Sequence, residues 1–472
     1  MTQHVFTSDD QLAFAKLSGD YNPLHTDPVL ARRLLFGRQI VHGLHALLWG
    51  ADHFFKKQRQ PLELGTVKAD FQAGIGVGQT VNSIYTAPDE HRVEIKLAAD
   101  STPAAWIQIA WRPAGQGQAD TVPATPQAPE KCRERSLDEV AAAAGNILLY
   151  LDNKTAARLF PSLVRVLPPM QLAALLATTR LVGMECPGHR SIFSGLNLVF
   201  GSNSNAIPKL NYQVTDCSKR LALIKMDVEA PGMNGQIKAF FRPEPQEQPA
   251  FTANYGEVES EEFSAQRALI IGGSRGLGEV AAKLLAAGGA EVIITYCHGQ
   301  QDAQQIVAEI VSHGARASCC RCDISESPPG LLNRVLNHSK PLYLYYFATP
   351  FIFGAAKGKF SSQRFANFVE YYVTGFLRIF KTLADPSTGL QKIFYPSSSA
   401  IEELPLDMGE YAAAKKAGEI LCEFLQKAHP GLTIHKPRLP RIATDQTVSL
   451  LPVGNQDPVS VLLTHLRTLR QM

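Results

Sequence analysis

Two stretches of this sequence bring together side chains able to move protons. In the run Ser18, Gly19, Asp20, Tyr21, Asn22, Pro23, Leu24, His25, a carboxylate and an imidazole stand five positions apart. Pro23 biases the residue before it to extended backbone, and Asp and Asn side chains close local turns, so the pair is expected on a loop that holds both groups in a fixed relation. So held, they can share general acid–base work through one positioned water, each contribution being worth about 10² to 10⁴ in rate. Far downstream, Tyr411 and Lys415 are four residues apart and fall on one face of a helix. The ammonium is expected to stabilise the phenolate and lower the pKa of Tyr411, making it a usable acid and base. Ser398, thirteen positions before Tyr411, ends a strand-like run and offers a hydroxyl to the same chemistry. Alone, each pair is common surface punctuation; the elements around them decide.

Apolar helical spacing flanks the first loop: Leu12, Phe14, Ala15 and Leu17 before it, Val29, Leu30, Leu34 and Leu35 after it. Phe36-Gly37 and His42-Gly43 then lead into an apolar helix-like run through Leu44, Leu47, Leu48 and Trp49. A helix N-terminus at Gly43 would polarise a carbonyl oxygen. Strand-like segments follow at 66–71, 77–85, 92–98 and 105–111, giving an α+β unit over 1–112. The stretch 113–145 opens in Pro, Ala, Gln and Gly and reads as a linker. A second block, 146–243, repeats the order: a helix over 168–183, then strands at 191–200, 210–214, 220–228 and 235–241. This implies an internal duplication. The second block has Asp152 and Asn153 without the following Pro and His, so no catalysis is expected from it.

A Pro- and Glu-rich stretch, 244–266, reads as a second linker before a last domain, 267–472. There the apolar strand 268–271 opens into Gly272, Gly273, Ser274, Arg275, Gly276, Leu277 and Gly278, followed by a helix. Strand, glycine turn and helix admit a pyrophosphate to the helix N-terminus, which points to a dinucleotide. The next strand ends in Thr295, Tyr296, Cys297 and His298, with no carboxylate for a ribose 2′-hydroxyl. With Arg275 in the glycine loop, NADP is expected over NAD. A closing helix is expected over 459–469.

At 472 residues, two to four domains are expected. A net charge of +3 gives no reason to expect nucleic acid, and no uncharged apolar run is long enough for a membrane span. The first ten residues lack a signal peptide's apolar centre, so the protein reads as cytoplasmic. Cys319, Cys320 and Cys322 are the only cluster among 8 cysteines, without companion ligands at zinc-site spacing, so no metal is expected.

The run from Phe14 to His25, with Phe36-Gly37 and His42-Gly43, resembles the hydratase 2 motif of MaoC-like (R)-specific enoyl-thioester hydratases and dehydratases. The resemblance implies a hot-dog fold, a helix wrapped by an antiparallel sheet, with Asp20 and His25 as the catalytic pair and the Gly43 amide facing the thioester carbonyl. The second block looks like a partner hot dog without the active loop. Residues 267 to about 445 resemble a short-chain dehydrogenase/reductase, which implies a Rossmann-type doubly wound parallel sheet. In that family Ser398 and Tyr411 would bind the substrate carbonyl, Tyr411 would donate its proton, and Lys415 would hold the nicotinamide ribose. Gly272, Ser274, Arg275, Gly276, Leu277 and Gly278 would cradle the cofactor, and Asp323 would contact its adenine. The chain departs from the pattern at Ile271, at Tyr346-Phe347-Ala348-Thr349, at Tyr372 in the place of a proton-relay asparagine, and at Pro437 to Pro440.

Fusion of the two resemblances implies consecutive steps on one acyl chain. A 3-oxoacyl thioester is reduced to the 3-hydroxyacyl thioester, which then loses water to give the trans-2-enoyl thioester. The acyl group would ride on coenzyme A or an acyl carrier protein, and the reductase domain could support a homo-oligomer. Two alternatives stand beside it: an active dehydratase with a cofactor-sensing or structural reductase domain, and an acyl-carrier-binding assembly module with vestigial sites.

Overall fold

Alternating burial along the N-terminal strands, with Val93, Ile95 and Leu97 turned inward between Glu94 and Lys96, gives a sheet with one face to a core. The first half contributes β1 (Thr2–Val5), β2 (Leu62–Phe71), β3 (Thr80–Asp89), β4 (Arg92–Ala99) and β5 (Thr102–Pro113). The second contributes β6 (Ala144–Leu148), β7 (Ser191–Phe200), β8 (Lys209–Ser218), β9 (Leu223–Ala230) and β10 (Met233–Phe241). All ten join one antiparallel sheet in the order β1-β3-β4-β5-β2-β7-β10-β9-β8-β6. Read outward from the β2–β7 seam, both halves run first long strand, fourth, third, second, then a short edge. The seam pairs Thr66 with Val199 and Asp70 with Gly195. This computed structural model describes residues 2–100, 102–115, 122–123, 131–201, 207–252, 255–326, 329–336, 339–354, 357–450 and 453–472.

Helices of the first half are α1 (Ser8–Ser18), α2 (Pro23–Thr26), α3 (Pro28–Ala31) and α4 (Gly43–Phe54); those of the second are α5 (Leu137–Ala141), α6 (Asn153–Leu159), α7 (Pro161–Val166) and α8 (Pro169–Arg180). A helix that is apolar all round belongs inside a core. Leu44, Ala46, Leu47, Leu48 and Ala51 bury α4, and α8 is buried from Met170 to Thr179. Each is the central helix of a hot dog. Trimming Leu175 at the middle of α8 to Ala would cost about 2–5 kcal/mol.

The stretch expected as a first linker holds more structure than its composition promised. Ser136 and Glu139 close a capping box that starts α5, and β6 adds an edge strand beside β8. The helix lies wholly within 113–145, and the strand begins there.

The chain divides between Glu244 and Pro245 into two units. In the second, β11 (Arg267–Ile271), β12 (Glu291–Tyr296), β13 (Ala317–Arg321), β14 (Leu342–Tyr346), β15 (Leu390–Phe394) and β17 (Thr433–His435) form a parallel sheet in the order β13-β12-β11-β14-β15-β17, and β16 (Ser397–Ser398) pairs with β18 (Arg438–Leu439). The helices are α9 (Gly276–Ala287), α10 (Gln300–Ser312), α11 (Pro329–Val335), α12 (Ser362–Val369), α13 (Gly375–Leu383), α14 (Ala400–Glu403), α15 (Gly409–Ala428) and α16 (Pro458–Gln471). Strand order reverses between β11 and β14, which sets a ligand crevice at the carboxyl ends of those strands. The second expected linker is also corrected: Phe251, Tyr255, Val258 and Phe263 are buried in this unit's core, Phe263 close against Gly288 beyond α9. Its prolines and glutamates conceal four apolar anchors.

Candidate active sites

The first motif is built one residue at a time. Thr7 and Asp10 close a capping box that starts α1, and Gly19, at φ +79°, ends it in the left-handed conformation that glycine adopts freely. Asp20 follows directly. The Asn22 side chain accepts from the Leu24 amide at 3.1 Å and caps α2, whose first residue is Pro23. The expected loop is thus broken by one helical turn, because proline at a first helical position is pre-set for the helix rather than against it. That turn carries His25. Its Nδ1 donates to the Ile40 carbonyl at 2.8 Å, a group that can only accept, so the neutral ring keeps its lone pair on Nε2.

Asp20, His25 and His42 each offer an atom within 4.8 Å of the others. His42 Nε2 lies 3.0 Å from the Asp20 main-chain carbonyl and its Nδ1 2.9 Å from Gln11 Oε1. Its ring stacks on His25 with centroids 3.9 Å apart. The Gly43 amide opens α4, where first-turn N–H groups have no partner inside the helix.

The second half supplies the rest of this site. Thr179 on α8 donates to Asp20 Oδ2 at 2.7 Å, and the Asn22 amide reaches across to the Gly183 carbonyl at 3.0 Å and the Gly188 carbonyl at 3.2 Å. A Cβ on Gly183 would lie 2.1 Å from Asp20 Oδ1. Burial pushes the Asp20 carboxyl up, opposed by His25, Thr179, Asn22 and Arg180. Burial pushes His25 down, opposed by Asp20 and by its bond to Ile40, and assisted by the charge of Arg242. Sequence reasoning missed Thr179 and Gly183; the apolar α8 pattern that contains Thr179 is the nearest signal.

In the second unit, Gly272 (φ +79°) turns the chain, and a Cβ on Gly278 would lie 2.2 Å from the Gly272 carbonyl oxygen. Gly276 heads α9 at φ +57°, and a Cβ there would meet Asp445 Oδ1 at 3.6 Å and Thr444 at 3.9 Å, ordinary contact distances. Ser274 is buried in the turn, and Leu277 packs on the core. Arg275, expected at a 2′-phosphate, instead pairs with the buried Asp445 at 2.5 Å. Asp323 accepts from the Ser325 amide and hydroxyl and from Cys297, bonds that hold its carboxyl below its usual value.

The hydroxyl of Ser398 on β16 hydrogen-bonds the Tyr411 phenol. Lys415 Nζ donates to the Pro396 carbonyl at 2.7 Å and sits 4.0 Å from the centre of the Tyr372 ring. Residues Glu370–Thr374 form a widened helical turn whose Tyr371 and Tyr372 carbonyls accept from Tyr346 and Tyr395. Tyr372 itself bonds Thr349 at 2.5 Å. The expected lowering of Tyr411 is not met: burial pushes its phenol up to about 12, with Ser398 opposing, while burial pushes Lys415 down to about 7. An ammonium enclosed by Tyr372 and Tyr395 loses hydration that one carbonyl and ring faces do not replace.

Residues 2–98 match the family described as MaoC like domain, and residues 266–435 match short chain dehydrogenase. The chain is 46% identical over 52 residues to the peroxisomal hydratase-dehydrogenase-epimerase of Saccharomyces cerevisiae, a span of 11% of this chain and 6% of that protein. It is 36% identical over 65 residues to a 3-oxoacyl-[acyl-carrier-protein] reductase of Synechocystis sp., covering 14% of this chain and 26% of the relative. It is 35% identical over 77 residues to enoyl-CoA hydratase 2, peroxisomal, of Arabidopsis thaliana, covering 16% and 25%. Each match thus spans about a quarter or less of the relative's length. Among the described residues no helix is long and apolar enough to cross a membrane.

Proposed function

We propose that this chain, which joins an N-terminal MaoC-like domain to a C-terminal short-chain dehydrogenase domain, is a bifunctional acyl-thioester enzyme. The reductase domain takes a 3-oxoacyl thioester to the 3-hydroxyacyl thioester with NADPH, and the double hot dog interconverts 3-hydroxyacyl and trans-2-enoyl thioesters with (R) specificity. The observation that carries the reading is the convergence of Asp20 and His25, with the His25 Nε2 lone pair left free by the Nδ1–Ile40 bond. In hydration His25 Nε2 takes a proton from water as it adds to carbon 3, and Asp20 delivers a proton to carbon 2. The Gly43 amide bears the charge that develops on the thioester oxygen between those steps.

In the reductase domain the glycine turn and the head of α9 hold the pyrophosphate, and Lys415 holds the nicotinamide ribose. The bound dinucleotide supplies the hydride. Tyr411, oriented by Ser398, gives the substrate oxygen its proton. NADP is favoured over NAD because β12 ends without a carboxylate and Arg275 lies in the glycine loop, from which a 2′-phosphate would draw it away from Asp445. Exposed Ile420 and Phe424 on α15 support self-association through this domain, which sedimentation of the purified chain tests. Fractionation of expressing cells tests the cytoplasmic placement.

Purified protein should oxidise NADPH with a 3-oxoacyl thioester. Tyr411→Phe should abolish that reaction and spare hydration of an enoyl thioester, and Asp20→Asn should do the reverse, with losses of about 10² to 10⁴. Indifference of either reaction to its own substitution would refute that site. Running both assays on coenzyme A and carrier-protein substrates identifies the carrier. A second reading, an active dehydratase with a cofactor-binding but weakly active reductase, is favoured by the enclosure of Lys415 under Tyr372; NADPH binding without turnover is its signature.

A further inference from the structure

Arg242 follows β10 and is 1% exposed. Among the described residues its guanidinium makes one hydrogen bond, from Nη2 to the His189 carbonyl at 2.7 Å. The same carbonyl accepts from the Asn22 amide at 3.3 Å, which seats Arg242 beside the Asp20-x-Asn22 turn of the dehydratase site. Its Nε is buried without an acceptor among the described residues. Two more exposed arginines place both nitrogens on carboxylates: Arg438 sets Nε and Nη2 on the two oxygens of Glu419 at 2.7 Å each, and Arg467 does the same on Glu262 at 2.8 and 3.1 Å.

The charged group that bears most on Arg242 is Arg190, of like sign, itself paired with Glu244. The charge of Arg242 also lowers the pKa of His25 and His189, and Cys132 feels both Arg242 and Asp20. A buried guanidinium with most of its N–H groups unspent is costly to hold, and its planar fork fits a carboxylate or phosphate.

We propose that Arg242 is an oxyanion receptor of the dehydratase site and that the preferred thioester carries a carboxylate on its acyl group. This rests on the dehydratase reading above. The pantetheine phosphate is the other oxyanion such a substrate brings, but it stands at the far end of an extended arm from the thioester, whereas Arg242 lies by the catalytic loop. N-acetylcysteamine thioesters, which carry no phosphate, separate the two sources.

The test compares hydration of crotonyl N-acetylcysteamine thioester with that of the monothioesters of trans-2-enedioic acids of increasing length. Wild-type protein should favour one of the carboxylated thioesters by about 10² in kcat/KM, the scale of hydrogen bonds to a charged group. Arg242→Gln should collapse that ratio, and Arg242→Lys should restore part of it. Should these variants not fold, a saturated dicarboxylic monothioester should still raise the melting temperature of the wild-type protein more than its monocarboxylic counterpart does. A loss on Arg242→Gln that appears with coenzyme A thioesters whether or not they are carboxylated, and is absent with N-acetylcysteamine thioesters, would assign Arg242 to the phosphate and overturn the proposal. Equal hydration of both classes, or equal loss in both on substitution, would also overturn it while leaving the dehydratase intact. Absence of hydration with every thioester would remove the dehydratase reading and this inference together.

Discussion

The two candidate sites respond to burial in opposite ways. At the first, burial raises Asp20 and lowers His25, so two groups that in water differ as acid and base are brought toward one another. At the second, burial lifts Tyr411 to about 12 and lowers Lys415 to about 7, so two groups that are nearly matched in water are driven apart. Desolvation favours the neutral form in every case; the outcome depends on the gap each pair starts with, wide for Asp20 and His25 and narrow for Tyr411 and Lys415. The chain alone prepares the dehydratase pair for proton exchange, whereas the reductase pair needs charge from outside.

The largest expected break in that comparison comes from Gly183→Ala. The added Cβ would drive Asp20 out of place, and hydration should fall by about 10² or more while NADPH oxidation by the same protein stands. Thr179→Val is gentler. Losing a hydrogen bond to a carboxylate should cost about tenfold. Because Thr179 lowers the Asp20 pKa, its loss should also move the acidic limb of the hydration pH profile upward, as read from kcat/KM against pH. The smallest effect concerns Lys415. A base whose folded pKa is depressed contributes stability that is present above its unfolded value, near 10.5, and is lost as pH falls through about 7. The denaturation midpoint should therefore decline from alkaline pH toward about 7 and then level, and Lys415→Met should flatten that part of the curve.

What the sequence disclosed follows from how far each contact reaches. Gly19, Asn22 and Pro23 act on their neighbours, so the loop that presents Asp20 and His25 was legible. Thr179 was not: it meets Asp20 across 159 positions, from a half whose lack of the motif argued for silence. That half was expected to do no chemistry, yet its Thr179 hydroxyl lowers the pKa of the candidate carboxylate against the rise that burial imposes. The pairing of Arg275 with Asp445 was illegible for the same reason, since the two are 170 positions apart. Helix spacing put Tyr411 and Lys415 on one face, but the sign of their pKa shifts depended on Tyr372 and Tyr395, which arrive from other elements. Composition misled at 244–266, where Phe251, Tyr255, Val258 and Phe263 are spaced among polar residues that hide them.

The seam between β2 and β7 gives the duplication a meaning of its own. Cut free, the first half would expose the long edge of β2 and would have to recruit another chain to cover it. The second half is in effect a tethered subunit, held at a concentration that dilution cannot lower. What it adds to the first half's motif arrives through contacts such as Thr179 to Asp20, so a substitution in either half is felt in both.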